Sequence, residues 1–141
     1  MTRAEPPARV IRVSAAVVVD SAGRALVVRK RGTTAFMQPG GKPEPGETAV
    51  RALVRELAEE LGVTVDAARL RPLGTHTALA ANEPGHRVVA DAFALTLQPA
   101  DVAPAAEIAE ARWLEPGETT SVPLAPLSRD ILLPLLWGAD L

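Results

Sequence analysis

The sequence contains no cysteine and no tyrosine. Without cysteine there is no disulfide framework, thiolate zinc site, cysteine nucleophile or Cys-x-x-Cys redox pair. Aromatic rings are almost absent: Phe36, Phe93, Trp113 and Trp137 are the whole set, too few and too scattered for a row of base-stacking side chains. No charge of one sign dominates either. The 15 Lys and Arg face 17 Asp and Glu, a net charge of -2. That balance argues against a nucleic-acid polymer held on a basic face. Long apolar runs are missing too: the stretch Ile131–Trp137, interrupted by Pro134, falls far short of the ~20 residues of a membrane span. The first eight residues, MTRAEPPA, lack the apolar centre of a secretory signal. The expectation is a cytoplasmic protein with no membrane partner.

What is present fits one globular domain. The chain has 141 residues, 48% of them hydrophobic and 23% charged, and domains of this length bury a core without staples. Residues 1–8 read as a flexible tail and 9–141 as a single domain. Val10 to Val19 is a β-branched apolar run, a strand buried on much of both faces. The turn cluster Asp20–Gly23 leads into Ala25–Val28, the return strand of a hairpin. Arg29 to Glu47 is crowded with Pro and Gly, which predicts irregular backbone, and a long loop between two core elements points to function. Leu70–Ala80 and Arg87–Leu97 read as strands joined by a turn, Glu110–Leu114 as a short strand, and Leu124–Trp137 as a helical segment that Pro134 would kink or end. That last segment could pack on its own sheet or on a second copy, so a homodimer stays open.

Thr48 to Leu61 is the clearest helix. Val50, Leu53, Val54, Leu57 and Leu61 repeat at helical spacing, and Gly62 stands at the stop. Glu56, Glu59 and Glu60 fall on a neighbouring arc. Like charges at this spacing cost a few tenths (~0.2–0.5) of a kcal/mol per pair, and no lysine follows Lys42 to relieve them. Two readings are open: a solvated acidic face, or oxygen ligands for a hard cation such as Mg²⁺.

The loop ahead of the helix separates them. From Gly41 to Val63 the sequence reads GKPEPGETAVRALVRELAEELGV. It matches G-x5-E-x7-R-E-U-x-E-E-x-G-U, where U is aliphatic, at Gly41, Glu47, Arg55, Glu56, Leu57, Glu59, Glu60, Gly62 and Val63. This resembles the Nudix box, the signature of the Nudix (MutT-like) hydrolases, and the order of strands and helices resembles that family from Arg9 to Trp137. The resemblance implies an α+β fold, an α/β/α sandwich with a mixed central sheet and the box loop and helix on one side. It also implies an enzyme in which water attacks a phosphorus of a nucleoside diphosphate derivative, with Mg²⁺ or Mn²⁺ as cofactor.

Carried over residue by residue, the resemblance makes Glu56, Glu59 and Glu60 metal ligands, with the Gly40 carbonyl as a further one. It makes Glu56 the candidate base and makes Gly41, Glu47, Arg55 and Gly62 supports of the box. A further acidic residue several positions before a late Trp is expected, which selects Glu107, with Glu110 as the alternative. Arg29, Lys30 and Arg31 could meet substrate phosphates. Phe36 could pack on a base or lie in the core. His76 and His86 have no distinct assignment.

Subfamily marks narrow the substrate only partly. The absence of Tyr counts against the diadenosine-polyphosphate branch, and Leu79 stands near where the ADP-ribose branch tends to carry Pro. The NADH-type and coenzyme A motifs are missing. A (d)NTP or related nucleotide remains, with ADP-ribose or a nucleotide sugar as the alternative. A non-catalytic nucleotide sensor is the other class, but such domains usually lose the box carboxylates that are all present here.

Overall fold

Strand β1 (Arg9–Val19) serves two layers at once, because its side chains alternate between the faces of the sheet. The computed structural model describes residues 9–81 and 83–138, so the tail expected at 1–8 lies outside the described residues. Ala16 and Val18 join a core cluster with Leu53, Leu57 and Leu61 of helix α1 (Ala49–Leu61). Ala15 and Val17 face the other way and meet Leu127 and Leu132. The run reads as continuously apolar because both of its faces are covered.

The remaining strands are β2 (Ala25–Lys30), β3 (Gly40–Gly41), β4 (Arg71–Leu79), β5 (His86–Thr96) and β6 (Ile108–Leu114). They form a mixed sheet in the order β4-β5-β1-β2-β6, with β3 beside β1. β1 and β5 run parallel in unbroken register from Arg9↔His86 to Val19↔Thr96. The other pairings are antiparallel. With α1 on one face and the C-terminal helical segment on the other, the expected α/β/α sandwich is the fold observed. Among the described residues no helix is long and apolar enough to cross a membrane.

Two expectations need correction. The Pro- and Gly-rich loop was expected to be irregular, yet its middle, Met37–Gly41, is joined to the sheet. β1 and β2 pair only beside their turn, at Val19↔Ala25. Farther along they part, and the loop fills the gap. Met37 exchanges two 2.8 Å backbone hydrogen bonds with Val28, the Pro39 carbonyl accepts the Ala16 N–H at 2.9 Å, and Gly40 and Gly41 pair with Ala15 and Ser14.

The second correction concerns Pro134: of the expected kink or end, the end does not occur. Residues 126–137 are helical throughout, with a π turn (Ser128–Leu132) ahead of α2 (Leu133–Trp137). The Leu133 N–H donates to the Ser128 carbonyl five residues back. Pro134 has no N–H for the Asp130 carbonyl, and the widened turn gives its ring room. The apolar segment packs on its own sheet: Leu132 and Leu133 are fully buried, and the Trp137 indole donates to the Gly23 carbonyl at 3.0 Å.

Candidate active site

Helix α1 sets the phase of the acidic residues. The Thr48 hydroxyl accepts the Arg51 N–H at 3.2 Å, and Gly62 closes the far end in the left-handed conformation with φ of 67°. Between these caps Leu53, Leu57 and Leu61 must face the sheet. Glu56 and Glu60, four residues apart, are therefore drawn to the margin of the core, and Glu59 is left outside.

Glu60 is a buried carboxylate, 4% exposed, whose Oε1 accepts the Gly40 N–H at 3.0 Å. Burial pushes its pKa up to about 7; the Gly40 hydrogen bond opposes this, the charge of Glu56 adds to it, Lys30 opposes, and Glu107 adds again. The Glu56 pKa is also raised, first by burial, against the pull of Arg55, with Glu59 raising it and Lys30 lowering it. The Arg55 guanidinium donates to Glu56 Oε1 at 2.8 Å.

Both glycines are forced by their neighbours. Gly40 has φ of 147°, and a Cβ there would run into the Ser14 carbonyl. A Cβ on Gly41 would fall on the Glu56 carboxylate itself.

Arg55 ties the loop to the helix. It binds Glu47 through two 2.8 Å hydrogen bonds, a bidentate pair, and donates to the Lys42 carbonyl at 3.1 Å. Those hydrogen bonds, joined by the Glu44 N–H, hold the Glu47 pKa down at about 2. The Arg55 pKa is raised in turn, chiefly by Glu47.

Glu107 arrives from the other side. The Ala103 and Ala105 N–H groups bond the Leu61 and Glu60 carbonyls, both at 2.8 Å, so the segment before β6 is laced to the end of α1. Ala106 then turns through a positive φ of 54°, and the Glu107 carbonyl accepts the Arg31 N–H at 2.8 Å. Glu110, the alternative, is engaged with Arg112 and Arg29 along the sheet. Of the two, Glu107 is the one whose charge is felt at Glu60.

The basic cluster divides in a way its sequence does not show. Arg29 donates to the Thr33 carbonyl at 2.9 Å and lies 5.9 Å over the Phe36 ring. Phe36 is buried in a core cluster with Val27 and Leu114, so it is a packing residue rather than a ring free to stack on a base. Arg31 is exposed. Lys30 is the one whose charge bears on both Glu56 and Glu60. His76 and His86 bond nearby carbonyls of Leu73 and Pro84.

A mostly apolar cleft opens beside Gly40 and Gly41. Ile11, Val13, Leu79, Val88 and Leu127 form its walls. Gln38 and Ser128, both buried, line it as well and hydrogen-bond each other. Sequence reasoning missed both, since an isolated amide and an isolated hydroxyl carry no pattern.

As the side chains stand, no three His, Asp or Glu groups among the described residues are arranged to hold a metal jointly. Glu56 is turned to Arg55, Glu60 to Gly40, and the Glu59 side chain is 54% exposed. The chemistry of the donors nonetheless fits a hard divalent cation. The side-chain donors are carboxylate oxygens, and burial raises the pKa of both Glu56 and Glu60, a cost to their charged forms that a cation would offset.

A family model for the NUDIX domain matches residues 9–135. Among curated proteins no relative matches. Solved structures similar to the chain include the E. coli ORF135 protein, 29% identical with a TM-score of 0.65, the alignment covering 93% of this chain and 90% of that one. The E. coli dihydroneopterin triphosphate pyrophosphohydrolase is 20% identical with a TM-score of 0.74, covering 90% and 95%. A MutT/nudix family protein from Enterococcus faecalis is 18% identical with a TM-score of 0.61, and 80% of this chain spans only 45% of that one. With the family model matched over residues 9–135, nearly the whole of this chain, the chain belongs to the Nudix family, hydrolases that act on pyrophosphate bonds.

Proposed function

We propose that the chain is a Mg²⁺-dependent pyrophosphohydrolase (Mn²⁺ serving as well) that cleaves the diphosphate linkage of a nucleoside diphosphate derivative, a (d)NTP or a related nucleotide. The observation that carries this reading is the buried Glu60 beside Glu56, with Glu107 and Lys30 acting on the same spot. Nudix hydrolases generally use divalent metals, and Glu56, Glu59 and Glu60 with the Gly40 carbonyl are the groups that would hold one here. A bound divalent cation neutralises the polyanionic substrate and polarises its P–O bonds.

The chain's own groups supply the rest. Glu56, kept in place by Arg55, orients the attacking water and takes its proton. Water oxygen bonds to phosphorus, the bridging P–O bond breaks, and the freed phosphate leaves with the electron pair. Glu107 stands as a further ligand or base, and Lys30 offers its ammonium to the phosphate oxygens. A neighbour of the same fold, the E. coli dihydroneopterin triphosphate pyrophosphohydrolase, supports the choice of a triphosphate substrate.

The test is a panel of dNTPs, ADP-ribose, nucleotide sugars and dinucleotides with Mg²⁺, read as phosphate or pyrophosphate release. Metal-dependent turnover of a nucleotide is the expected result. Tight binding of one compound with no turnover of any would replace this reading with that of a nucleotide sensor.

A further inference from the structure

The cleft beside Gly40 presents one polar edge, and its chemistry selects among heterocycles. The Ser128 hydroxyl donates to Gln38 Oε1. Gln38 Nε2 has no protein partner among the described residues, yet no side-chain nitrogen or oxygen is both buried and unpartnered there. Nε2 therefore has open space beside it, and the space Gln38 lines is the cleft. A primary amide fixed through its oxygen offers only N–H donors.

The position of that edge relative to the carboxylates is set by the chain. Gln38 is followed by Pro39 and Gly40, and the Gly40 N–H is the group bound to Glu60. Two residues of chain span at most ~7 Å, and Gly40 and Gly41 line the same cleft. Ser128 is fixed as well. It opens the π turn, where its carbonyl takes the Leu133 N–H while its hydroxyl holds Gln38. π turns recur at functional sites.

We infer that Gln38, oriented by Ser128, reads the base of the nucleotide and favours one with a ring carbonyl at the edge it meets. Guanine and thymine carry a keto oxygen where adenine and cytosine carry an amino group. The keto oxygen accepts the Gln38 N–H, whereas the amino group sets donor against donor in an apolar cleft. This rests on the pyrophosphohydrolase reading and names the substrate class for it.

The experiment compares kcat/KM for dGTP, dTTP, dATP and dCTP. Wild type is expected to favour the two keto bases by about tenfold, the scale of one hydrogen bond made against one left unmade. Gln38→Glu keeps the shape and leaves only acceptors, so the order reverses. Gln38→Met levels the four substrates to within about twofold, and Ser128→Ala, which frees the amide to turn, narrows the preference in the same direction. If Gln38→Met fails to fold, Gln38→Glu and Ser128→Ala still decide. Binding of methylene-bridged dGTP and dATP analogues reads the same preference without turnover. Equal hydrolysis of all four bases by wild type, or an unchanged order in Gln38→Glu, overturns the inference and leaves the pyrophosphohydrolase reading standing. Keto-selective binding with no hydrolysis of these four or of the wider nucleotide panel keeps the base assignment and removes the catalytic reading. Neither hydrolysis nor binding of the four overturns the base assignment, and the wider panel then decides the catalytic reading by itself.

Discussion

Glu60 accepts the Gly40 N–H at 3.0 Å from a position where its carboxyl is almost sealed from solvent. Its pKa stands at about 7, against an ordinary 4.5, chiefly through burial and then through Glu56 and Glu107. The folded value lies above the unfolded one. The metal-free protein therefore gains stability as pH falls from above 7 toward 4.5, and ionised Glu60 costs it up to about 3 kcal/mol on the alkaline side. Melting in chelator between pH 8 and 5 should show this gain in wild type and not in Glu60→Gln. The variant keeps the hydrogen bond and loses the charge, so its Tm at pH 8 should rise while kcat/KM with Mg²⁺ falls by at least about a hundredfold. Equal turnover by the two proteins would sink the assignment of Glu60 as a metal ligand.

Gly41 should respond differently from Gly40 although the two are adjacent. A methyl on Gly41 lands on the Glu56 carboxylate, a side chain that can swing aside. Gly41→Ala is expected to fold, with a small loss in Tm and a fall in kcat of at least about tenfold as Glu56 is displaced. A methyl on Gly40 meets the Ser14 backbone at a φ of 147°, so Gly40→Ala should cost about 1–3 kcal/mol of stability. Chemical denaturation alongside steady-state kinetics separates the two effects. Full activity in Gly41→Ala would show that the Glu56 position is unimportant.

Lys30 and Arg29 are neighbours with opposite expectations. Lys30 opposes the raised pKa values of both Glu56 and Glu60. Lys30→Met should raise KM about tenfold and move the pH dependence of metal-free stability further alkaline. Arg29 is occupied by the Thr33 carbonyl and the Phe36 ring. Arg29→Met should lower Tm with little change in KM. A reversal of the two KM effects would return Arg29 to the substrate-binding set.

What could be read from the sequence was whatever repeats or follows fixed spacing. The apolar positions of α1 recur every three or four residues, and the glycines, carboxylates and arginine around them stand at defined intervals, so helix, C-terminal stop and acidic face were legible. The insertion of Met37–Gly41 between β1 and β2 was not. Pro and Gly signal turns locally, and the hydrogen bonds that make this stretch strand-like come from Val28, Ala16 and Ser14, far away in the chain. Arg29 and Lys30 fall on opposite faces of β2, a division that the adjacency of three basic residues, Arg29 to Arg31, does not display. Phe36 reads equally well as core or as a base platform until Val27 and Leu114 are seen to close over it. Pro134 reads as a kink or a stop, and that the helix continues past it was not legible because a π turn leaves no trace in hydrophobic periodicity.

The Glu47–Arg55 pair should control acid stability. Two hydrogen bonds from Arg55 hold the Glu47 pKa at about 2, below an ordinary 4.5. With the folded value depressed, the contribution of the pair is complete above 4.5 and is lost as pH falls toward 2. Glu47→Gln removes this slope, so its Tm should lie below that of wild type at neutral pH and converge with it near pH 2. Arg55→Lys keeps the charge but not the two-pronged contact, and it also releases the Lys42 carbonyl and Glu56. It should therefore lose both acid-dependent stability and turnover, whereas Glu47→Gln should lose mainly the former. Parallel Tm curves for wild type and Glu47→Gln from pH 7 to 2 would show that the pair does not stabilise the loop.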